Sequence, residues 1–512
     1  MVQLVWFKRD LRKQDHEPLH LAAEAGVVLP LFIIEPEYWK LRETSCRHYA
    51  FWIESLVGLR SAGVPIVVRV GDAVAVLKEL DGQHQIDHLW SHQETGNAWT
   101  FERDKRVAGW CRDRGITWTE KPQFGVIRGP VNRNRWAKQW EAFMAKPQYE
   151  PPPSPIYAEE KSDLIPSAED LGLDDEVAEG RQHGGRVEGL KLLNSFFFST
   201  RGRDYRRAMS SPLDGETACS RLSPYFAYGC LSMREAVQDA YALKIERSGV
   251  GWPREEISAQ SLDSFIARLH WHCHFIQKFE SEPEIEFRDL HPAFRGARED
   301  GFNHPHYQAF ATGQTGFPFI DACMRSLIAT GWINFRMRAM LTAFASYHLW
   351  LDWRASGTRL AQLFVDYEPG IHWSQTQMQS GSTAINTPRI YNPVKQSHDQ
   401  DPDGIFIKRW VPELRNLQGK QLHEPWTMTG AECDAANFKL GVDYPGRIID
   451  HVKAAKAARE RVSQIRGTEG FYEEQKAIFI KHGSRKSSRH TPRQGRAWKK
   501  PKAADDQLEM DV

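Results

Sequence analysis

Long hydrophobic runs are missing from this sequence. Its 512 residues contain no stretch of about 18 uncharged apolar residues, so we expect no membrane-spanning helix. The opening residues, MVQLVWFKRD, are typical of a strand that enters a charged turn and do not resemble a secretory signal peptide. We therefore expect a cytoplasmic protein without a membrane partner.

Cysteine pairs are missing as well. The seven cysteines are Cys46, Cys111, Cys219, Cys230, Cys273, Cys323 and Cys433. None belongs to a C-x-x-C pair, and an odd number in a chain without an export signal argues against a disulfide framework. The N-terminal part also lacks a phosphate-binding loop of the G-x-G-x-x-G type.

Excess charge is the third feature that the sequence lacks, because the formal net charge is only +1. The overall balance hides a basic tail, since Lys481 to Lys502 contains nine Lys and Arg and no acidic residue. Its Gly, Ser and Pro content predicts a disordered tail that contacts a polyanion. A solvated tail without a specific role is the alternative interpretation.

The residues that are present predict two domains of different class. Hydrophobic residues make up 41% of the chain, which is enough for large cores. Short apolar runs at 2–7, 28–34, 65–70 and 87–91 are spaced by helix-length segments such as 47–62, a pattern typical of a parallel α/β sheet. We therefore expect a Rossmann-like α/β domain over 1–150.

A change of composition follows this first domain. Prolines cluster at 151–155, and an acidic stretch occupies 169–179, including Asp175 and Glu176. Neither favours a packed element, so 150–195 is interpreted as an interdomain linker. Helical periods replace strand-like alternation over 196–465, which predicts a larger all-α domain, and 466–512 is expected to be a C-terminal extension.

The region from Gly313 to Pro393 is the most informative one. A helix over Asn334–Trp350 would place apolar residues on one stripe, yet Arg336 and Arg338 lie inside the run. Buried cations need partners, and Asp366 follows in the next segment. The sequence therefore favours an arginine–carboxylate pair inside a helical core.

The motifs TGWINFRMR, RIYNPVKQSHDQDPDGIFIKRWVPEL and WFKRDLRKQDHEPL resemble the DNA photolyase and cryptochrome family. The resemblance implies FAD held noncovalently in the all-α domain, with Arg338 beside the flavin ring and paired with Asp366. Some family members also hold a pterin or deazaflavin antenna in the first domain, and the resemblance leaves open whether this chain does. Some bacterial relatives carry an iron–sulfur cluster, but Cys323 and Cys433 are too few ligands, so we expect none.

A phosphate site is indicated by the run from Cys219 to Pro224. Ser223 and Pro224 are typical of a helix N-cap and a first-turn proline, and an ordinary capped helix is the alternative. The run is similar to the family motif TSRLS for the FAD phosphates, with Cys219 in place of threonine and Tyr205 as the preceding tyrosine. Further along, Ser232 and Glu235 predict a capping box.

A second helix is predicted by the spacing of Leu262, Ile266, Leu269, Cys273 and Ile276. Arg268, Trp271 and Phe275 fall on another face, with His272 beside them. The resemblance implies that Trp271 stacks on a flipped pyrimidine dimer and that Arg268 stands where the best-known repair class has a glutamate. His270 and His274 have metal-ligand spacing, but without a third ligand we expect hydrogen-bonded histidines and no metal.

The remaining roles come from the resemblance alone. It places Glu368 and His372 near the flavin, with His372 at the position facing N5. The flavin contacts that it implies are Tyr205, Cys219, Ser220, Arg221, Leu222, Ser223, His272, Phe275, Phe335, Arg338, Asp366, Glu368 and His372. The catalytic set is Arg268, Trp271 and His372, and the DNA contacts are Arg268, Trp271 and Met378.

Electron transfer is the last role to assign. Trp353 matches the middle member of the family's tryptophan chain, but the proximal position is Thr376 and the distal one Asp300 or Phe302. Core packing is the alternative role for these indoles. We expect any photoreduction to use another route, through Trp350, Trp353 and Trp373.

The resemblance implies a blue-light-driven repair enzyme, a photo-lyase that splits pyrimidine dimers by electron transfer from excited reduced FAD. We expect a monomer whose partner is UV-damaged DNA. A cryptochrome-like photoreceptor with the same FAD is the alternative, favoured by Arg268 and the broken tryptophan chain. A flavin protein with neither role is the third hypothesis.

Overall fold

A computed structural model describes residues 2–129, 131–174, 178–251, 256–299 and 301–484. Three of the sequence predictions fall outside these residues. They are the middle of the acidic stretch at Asp175 and Glu176, the distal relay position Asp300, and the basic tail from residue 485 onward.

The N-terminal part is a parallel five-stranded sheet. The strands are β1 (Val2–Phe7), β2 (Val28–Ile34), β3 (Val67–Val70), β4 (Ile86–His92) and β5 (Thr117–Lys121). The helices around the sheet are α1 (Glu17–Ala25), α2 (Pro36–Trp39), α3 (Cys46–Ser61), α4 (Ala73–His84), α5 (Ala98–Arg114) and α6 (Arg133–Met144). The strand order is β3-β2-β1-β4-β5, so the predicted Rossmann-like α/β fold is confirmed.

The topological switch point of the sheet lies between β1 and β4, where such folds bind ligands. Beside it, at the carboxyl ends of β1 and β2, aromatic side chains that include Trp39 and Trp52 line a cavity of about 20 Å³. This cavity is close to the size of a single water.

The segment after residue 150 runs along the open edge of the sheet. Val28 exchanges backbone hydrogen bonds with Ile156 and Ala158, and Ser162 Oγ accepts a bond from the Val68 N–H. This extended path agrees with a linker that wraps around the first domain. The domain boundaries at 150, 195 and 465 stay predictions.

The rest of the described chain is helical. Its helices are α7 (Arg186–Phe198), α8 (Thr200–Arg203), α9 (Tyr205–Ala208), α10 (Pro212–Ala218), α11 (Ser223–Ala227), α12 (Met233–Val250), α13 (Ala259–Ser281), α14 (His304–Thr312), α15 (Pro318–Thr330), α16 (Phe335–Ala343), α17 (Trp353–Leu363), α18 (Pro369–Ser380), α19 (Pro393–Gln400), α20 (Ile405–Trp410), α21 (Gly419–His423), α22 (Gly430–Ala435), α23 (His451–Arg466) and α24 (Phe471–His482). The predicted all-α class of this part is confirmed. No helix of the described residues has the length and apolar character needed to cross a membrane.

The helix predicted over Asn334–Trp350 is shorter than expected. Regular α-helix ends with α16 at Ala343, and a wider turn follows in which the Leu349 N–H bonds to the carbonyl of Phe344, five residues back. Trp350 then adopts a left-handed conformation with φ 51°, which ends the run. The apolar stripe is buried as predicted, and Ala339, Ala343 and Ser346 are buried as well.

Helix α3 docks the sheet domain onto the helical part. His48 Nε2 lies 2.8 Å from the carbonyl of Phe364, and Ser45 donates to the carbonyl of Gln362. The buried Arg47 donates to the carbonyls of Ile328 and Leu363. These bonds hold the chain at 362–364, immediately before Asp366.

Candidate functional site

Arg338 and Asp366 form the bidentate pair that the sequence predicts. Arg338 Nη1 and Nη2 lie 2.9 Å from the two Asp366 carboxylate oxygens, and Nε donates to the carbonyl of Ile333 at 2.8 Å. The guanidinium also lies over the ring of Phe364, 4.1 Å from its centroid. Burial would raise the pKa of Asp366, but Arg338 lowers it below its usual value, so this carboxylate is charged.

Ser223 also belongs to this pair, which corrects its predicted role. Helix α11 begins at Ser223, and its N-cap is Leu222, whose side chain makes no capping bond. The Ser223 hydroxyl instead donates to Asp366. The N-cap prediction is wrong by one position, because the helix begins at Ser223 itself. The capping box of Ser232 and Glu235 is present as predicted.

A pocket of positive charge lies next to α11. Arg221 has a left-handed backbone with φ 59°, its Nε donates to Gln182 at 3.0 Å, and its guanidinium lies 4.1 Å from the ring centroid of Trp332. Arg201 donates to the carbonyl of Cys219 at 2.8 Å. Burial and the charge of Arg201 lower the pKa of Arg221 from 12.5 to about 10. Two close guanidinium groups of this kind favour an anion.

The other residues of the predicted phosphate motif surround this pocket. Leu222 is buried in the core, whereas Cys219 and Ser220 are half-buried. Burial raises the pKa of the Cys219 thiol to about 11, so it is a neutral group. Cys219 therefore adds no charge to the two arginines.

Tyr205 and Arg268 are joined by a hydrogen bond from the guanidinium to the phenol oxygen. Burial raises the pKa of Tyr205 to about 12. Arg268 Nη2 also lies 3.9 Å from the Met209 sulfur, and its guanidinium is 5.8 Å from the ring centroid of Phe335. Phe335 is exposed. Arg268 thus reaches from α13 to residues of α9 and α16 and to Met209, which follows α9.

Helix α13 carries the other predicted contacts. Trp271 is half-buried and stacks on the buried Phe275, with ring centroids 5.5 Å apart. His272 Nε2 lies 2.8 Å from Glu368 Oε2, although neither ring nitrogen makes an aligned hydrogen bond to a described residue. Burial would lower the pKa of His272, but Glu368 raises it to about 10. At neutral pH, His272 therefore carries a positive charge beside Glu368.

His372 is a neutral group in the wall of the site. Burial and, to a smaller extent, the charge of Arg338 lower its pKa from 6.5 to about 4. His372 Nε2 lies 2.9 Å from the carbonyl of Gly357, so it donates to that oxygen. A Cβ atom at Gly357 would come within 2.9 Å of Trp373 and 3.1 Å of Thr376. Glycine thus allows α17 to approach α18 here.

Two of the three proposed relay tryptophans meet. Trp353 and Trp373 are fully buried, with ring centroids 5.9 Å apart, and Trp373 lies 4.8 Å from the His372 ring. Trp350 belongs to another cluster, between the guanidinium groups of Arg298 and Arg461. Trp350 thus packs apart from the other two indoles, and the electron-transfer route stays a prediction.

The paired histidines on α13 have partners other than a metal. His270 packs against Trp136 and Trp140, with ring centroids about 5 Å apart. His274 Nδ1 accepts from Arg133 Nη2 at 2.5 Å. Met378 is half-buried near the end of α18. All seven cysteines lie in the described residues and are free thiols.

Some of the residues around the site were not found in the sequence. Arg201 and Gln182 hold the 219–221 segment through bonds to Cys219 and Arg221. Both lie outside the motif, and nothing in their local pattern distinguishes them from surface residues. Only the tertiary structure brings Arg201 and Gln182 next to the 219–221 segment.

Two family models match the chain. Residues 3–127 match the model described as DNA photolyase, and residues 265–464 match the FAD binding domain of DNA photolyase. The fold and the two matches therefore define a class of protein in which an α/β domain is followed by a helical FAD-binding domain. The chain belongs to the DNA photolyase and cryptochrome family.

The relatives carry both names of this family. A cryptochrome DASH of Gloeobacter violaceus is 28% identical over 89% of this chain and 94% of its own. A deoxyribodipyrimidine photo-lyase of Streptomyces griseus is 27% identical over 91% of this chain and 99% of its own. A crystal structure of a bacterial class III photolyase from Agrobacterium tumefaciens has a TM-score of 0.77 and 25% identity, covering 91% of this chain and 98% of that one.

Proposed function

We propose that this protein is a blue-light-driven DNA repair flavoprotein that splits pyrimidine dimers. The observation that carries the proposal is that helix α13 joins two sites. Its His272 pairs with Glu368, two residues after Asp366, and Trp271 and Arg268 lie within about one turn of His272 on the same helix. A dimer bound by Trp271 and Arg268 would lie beside a cofactor held by the same helix.

The residues present fit FAD. The FAD-binding domain matches over 265–464, and the partly buried guanidinium groups of Arg201 and Arg221 suit a pyrophosphate. At the end of the site where the flavin ring would lie, the ring nitrogens of His272 lack aligned hydrogen-bond partners among the described residues. Arg338 with Asp366, and the neutral His372, would hold the flavin ring. When bound, reduced FAD would supply the light-driven electron that splits the dimer.

The chain's own residues have separate tasks in this proposal. Trp271 offers an aromatic face for a flipped base, on which stacking contributes ~1–3 kcal/mol. Arg268 offers donors to the dimer carbonyl oxygens, where negative charge develops once the electron arrives. Tyr205 and Met209 keep the guanidinium in place. The neutral His372, bonded to the carbonyl of Gly357, would be a proton donor or acceptor beside the bound ring.

The N-terminal domain is proposed to be of the antenna type. The cavity lined by Trp39 and Trp52 has a volume of about 20 Å³, so a pterin or deazaflavin at that place would need movement of these side chains. We place the domain boundaries at 1–150, 150–195, 196–465 and 466–512. The protein is proposed to act as a cytoplasmic monomer on UV-damaged DNA.

A cryptochrome-like photoreceptor is the second candidate. Arg268 replaces the glutamate of the best-known repair class, and relatives named cryptochrome DASH cover 89% of this chain. In this case the flavin would bind in the same way, but light would change a partner contact and no dimer would be split.

The experiment that separates the two candidates uses dimer-containing DNA. The purified protein is fully reduced without oxygen, mixed with the DNA and illuminated with blue light, with a dark sample as control. If the protein is a repair enzyme, dimers should be lost in the illuminated sample and not in the dark sample. A protein that binds FAD and changes its absorption in light without splitting dimers would be a photoreceptor.

A further inference from the structure

Trp353 and Trp373 form a pair of indoles inside an apolar cluster of the helical part. Both are fully buried, with ring centroids 5.9 Å apart, and Phe279, Ile285 and Leu290 pack in the same cluster. The predicted electron relay uses these two indoles, so each would be oxidised and then restored. The hydrogen-bond partner of an indole N–H group decides whether the oxidised ring can lose its proton, and the two indoles differ in this partner.

The N–H group of Trp353 donates to a buried carboxylate. Trp353 Nε1 lies 3.0 Å from Asp289 Oδ1, and only 3% of Asp289 is exposed. Arg354 Nη2 donates to the other oxygen, Oδ2, at 3.2 Å, and the Ser382 hydroxyl also hydrogen-bonds to this carboxyl group. Donors on both oxygens favour the ionised form. Burial raises the pKa of Asp289, so its carboxylate is a stronger base than an exposed one.

Trp373 has no comparable acceptor, because its buried Nε1 makes no aligned hydrogen bond to a described residue. The two indoles also differ in the charge beside them. The Arg354 guanidinium lies over the Trp353 ring, 4.8 Å from its centroid, so this cation would repel a positive charge on the oxidised ring. Loss of the N–H proton removes that repulsion, and among the described residues the N–H group reaches Asp289.

We propose that Asp289 accepts the indole proton of Trp353 when light-excited, oxidised FAD takes one electron from the Trp353–Trp373 pair. The N–H bond breaks with its electron pair left on nitrogen, and the proton moves to Asp289 Oδ1 over 3.0 Å, a separation suited to direct transfer. A neutral tryptophan radical and a neutral carboxylic acid result, while FAD holds the electron. Return of the electron then requires return of the proton, which prolongs the radical. This role of Asp289 rests on the proposed function, because it needs FAD as the electron acceptor.

Flash photolysis of the full-length protein with oxidised FAD measures this step, because protonated and deprotonated tryptophan radicals have different absorption spectra. The wild type should form the deprotonated radical, and its formation should be slower in heavy water because an N–H proton is transferred. Asp289→Asn keeps the shape of the side chain but removes the basic oxygen, so formation of the deprotonated radical should slow by ~100-fold or more. Trp353→Phe should abolish the signal of this radical.

Glu299→Gln is the matched control, because the half-exposed Glu299 pairs with the same arginine, 3.2 Å from Arg354 Nη1. This variant should form the deprotonated radical at the wild-type rate. The role of Asp289 is overturned if FAD-loaded wild-type protein forms no tryptophan radical, or one that keeps its proton, or one that loses it equally fast in light and heavy water. A folded, FAD-loaded Asp289→Asn variant with the wild-type rate overturns it as well.

Failure of this step can be told apart from failure of the proposed function. The repair assay starts from fully reduced FAD, so it does not need the indole pair. Dimer splitting without the deprotonated radical would therefore remove the role of Asp289 and leave the repair function in place. A protein that holds no FAD would contradict the proposed function itself, and the role of Asp289 with it.

Discussion

At the scale of single residues, the Arg338–Asp366 pair has the largest expected effect. Asp366 is buried and Arg338 is about three-quarters covered, so Arg338→Ala leaves a buried carboxylate without its partner. Breaking such a pair costs roughly 3–5 kcal/mol. We expect loss of FAD or of the fold, measured by bound flavin and by urea unfolding.

The double variant Arg338→Met with Asp366→Asn is the control for this prediction. It removes both charges, so its free energy of unfolding should lie closer to that of the wild type than that of Arg338→Ala. If Arg338→Ala keeps both full stability and full FAD content, the pair is not the anchor of the site.

Arg268 and Trp271 should separate lesion binding from splitting. Trp271→Ala removes the stacking face and should weaken lesion binding by ~1–3 kcal/mol. Arg268→Ala removes donors that matter once the dimer is reduced, so the splitting yield should fall more than the affinity. Arg288→Ala, which removes an exposed arginine paired with Glu284, is the matched control. Equal losses in the Arg268 and Arg288 variants would remove Arg268 from the mechanism.

The free energy of unfolding should depend on pH through the titration of two histidines, His272 and His372. The folded pKa of His272 is raised to about 10, so its stabilisation is full below pH 6.5 and is lost as pH rises toward 10. The folded pKa of His372 is lowered to about 4, so its stabilisation is present above pH 6.5 and is lost as pH falls toward 4.

Urea unfolding between pH 4 and 10 measures both effects. His272→Gln should flatten the alkaline side of the stability profile, and His372→Asn should flatten the acid side. If each variant keeps the profile of the wild type, these histidines do not have the protonation states described above.

At the scale of elements, the sequence predicts best where one local pattern dominates. The bounds of β1 and β2 match the predicted runs because both strands are buried and continuously apolar. Strand β5 was missed because TWTEK is a polar edge strand with no fully buried residue. The apolar stripe of α16 continues past Ala343, where the regular helix ends. Hydrophobic periodicity therefore could not reveal the wide turn that ends the helix.

The basic tail is an element that can be tested separately. A chain that ends at Ser484 keeps Lys481 and His482, which contact Glu282. Its nonspecific DNA affinity should fall, and the dependence of binding on salt should become less steep, because fewer phosphates are contacted. The preference for damaged over undamaged DNA should remain unchanged. Filter binding between low and high salt measures this, and an unchanged slope shows that the tail does not contact DNA.

At the scale of the whole molecule, contacts between distant parts of the chain build the site. Arg47 and His48 of α3 hold the carbonyls before Asp366, more than 300 residues along the chain. Gln182, from the linker region, fixes Arg221. The motifs predicted Arg221, Arg338 and Asp366 as a group, but these supporting contacts depend on tertiary structure, which no local pattern encodes.

The most direct test of the account is blue-light splitting of lesions by the fully reduced wild-type protein without oxygen. Oligonucleotides with either a cyclobutane dimer or a (6-4) lesion are supplied in single- and double-stranded form, and repaired bases are counted against absorbed light. We expect FAD at near one per chain and light-dependent repair of at least one substrate, with none in the dark. A flavin-loaded, fully reduced protein that splits none of the four would contradict the proposed repair function.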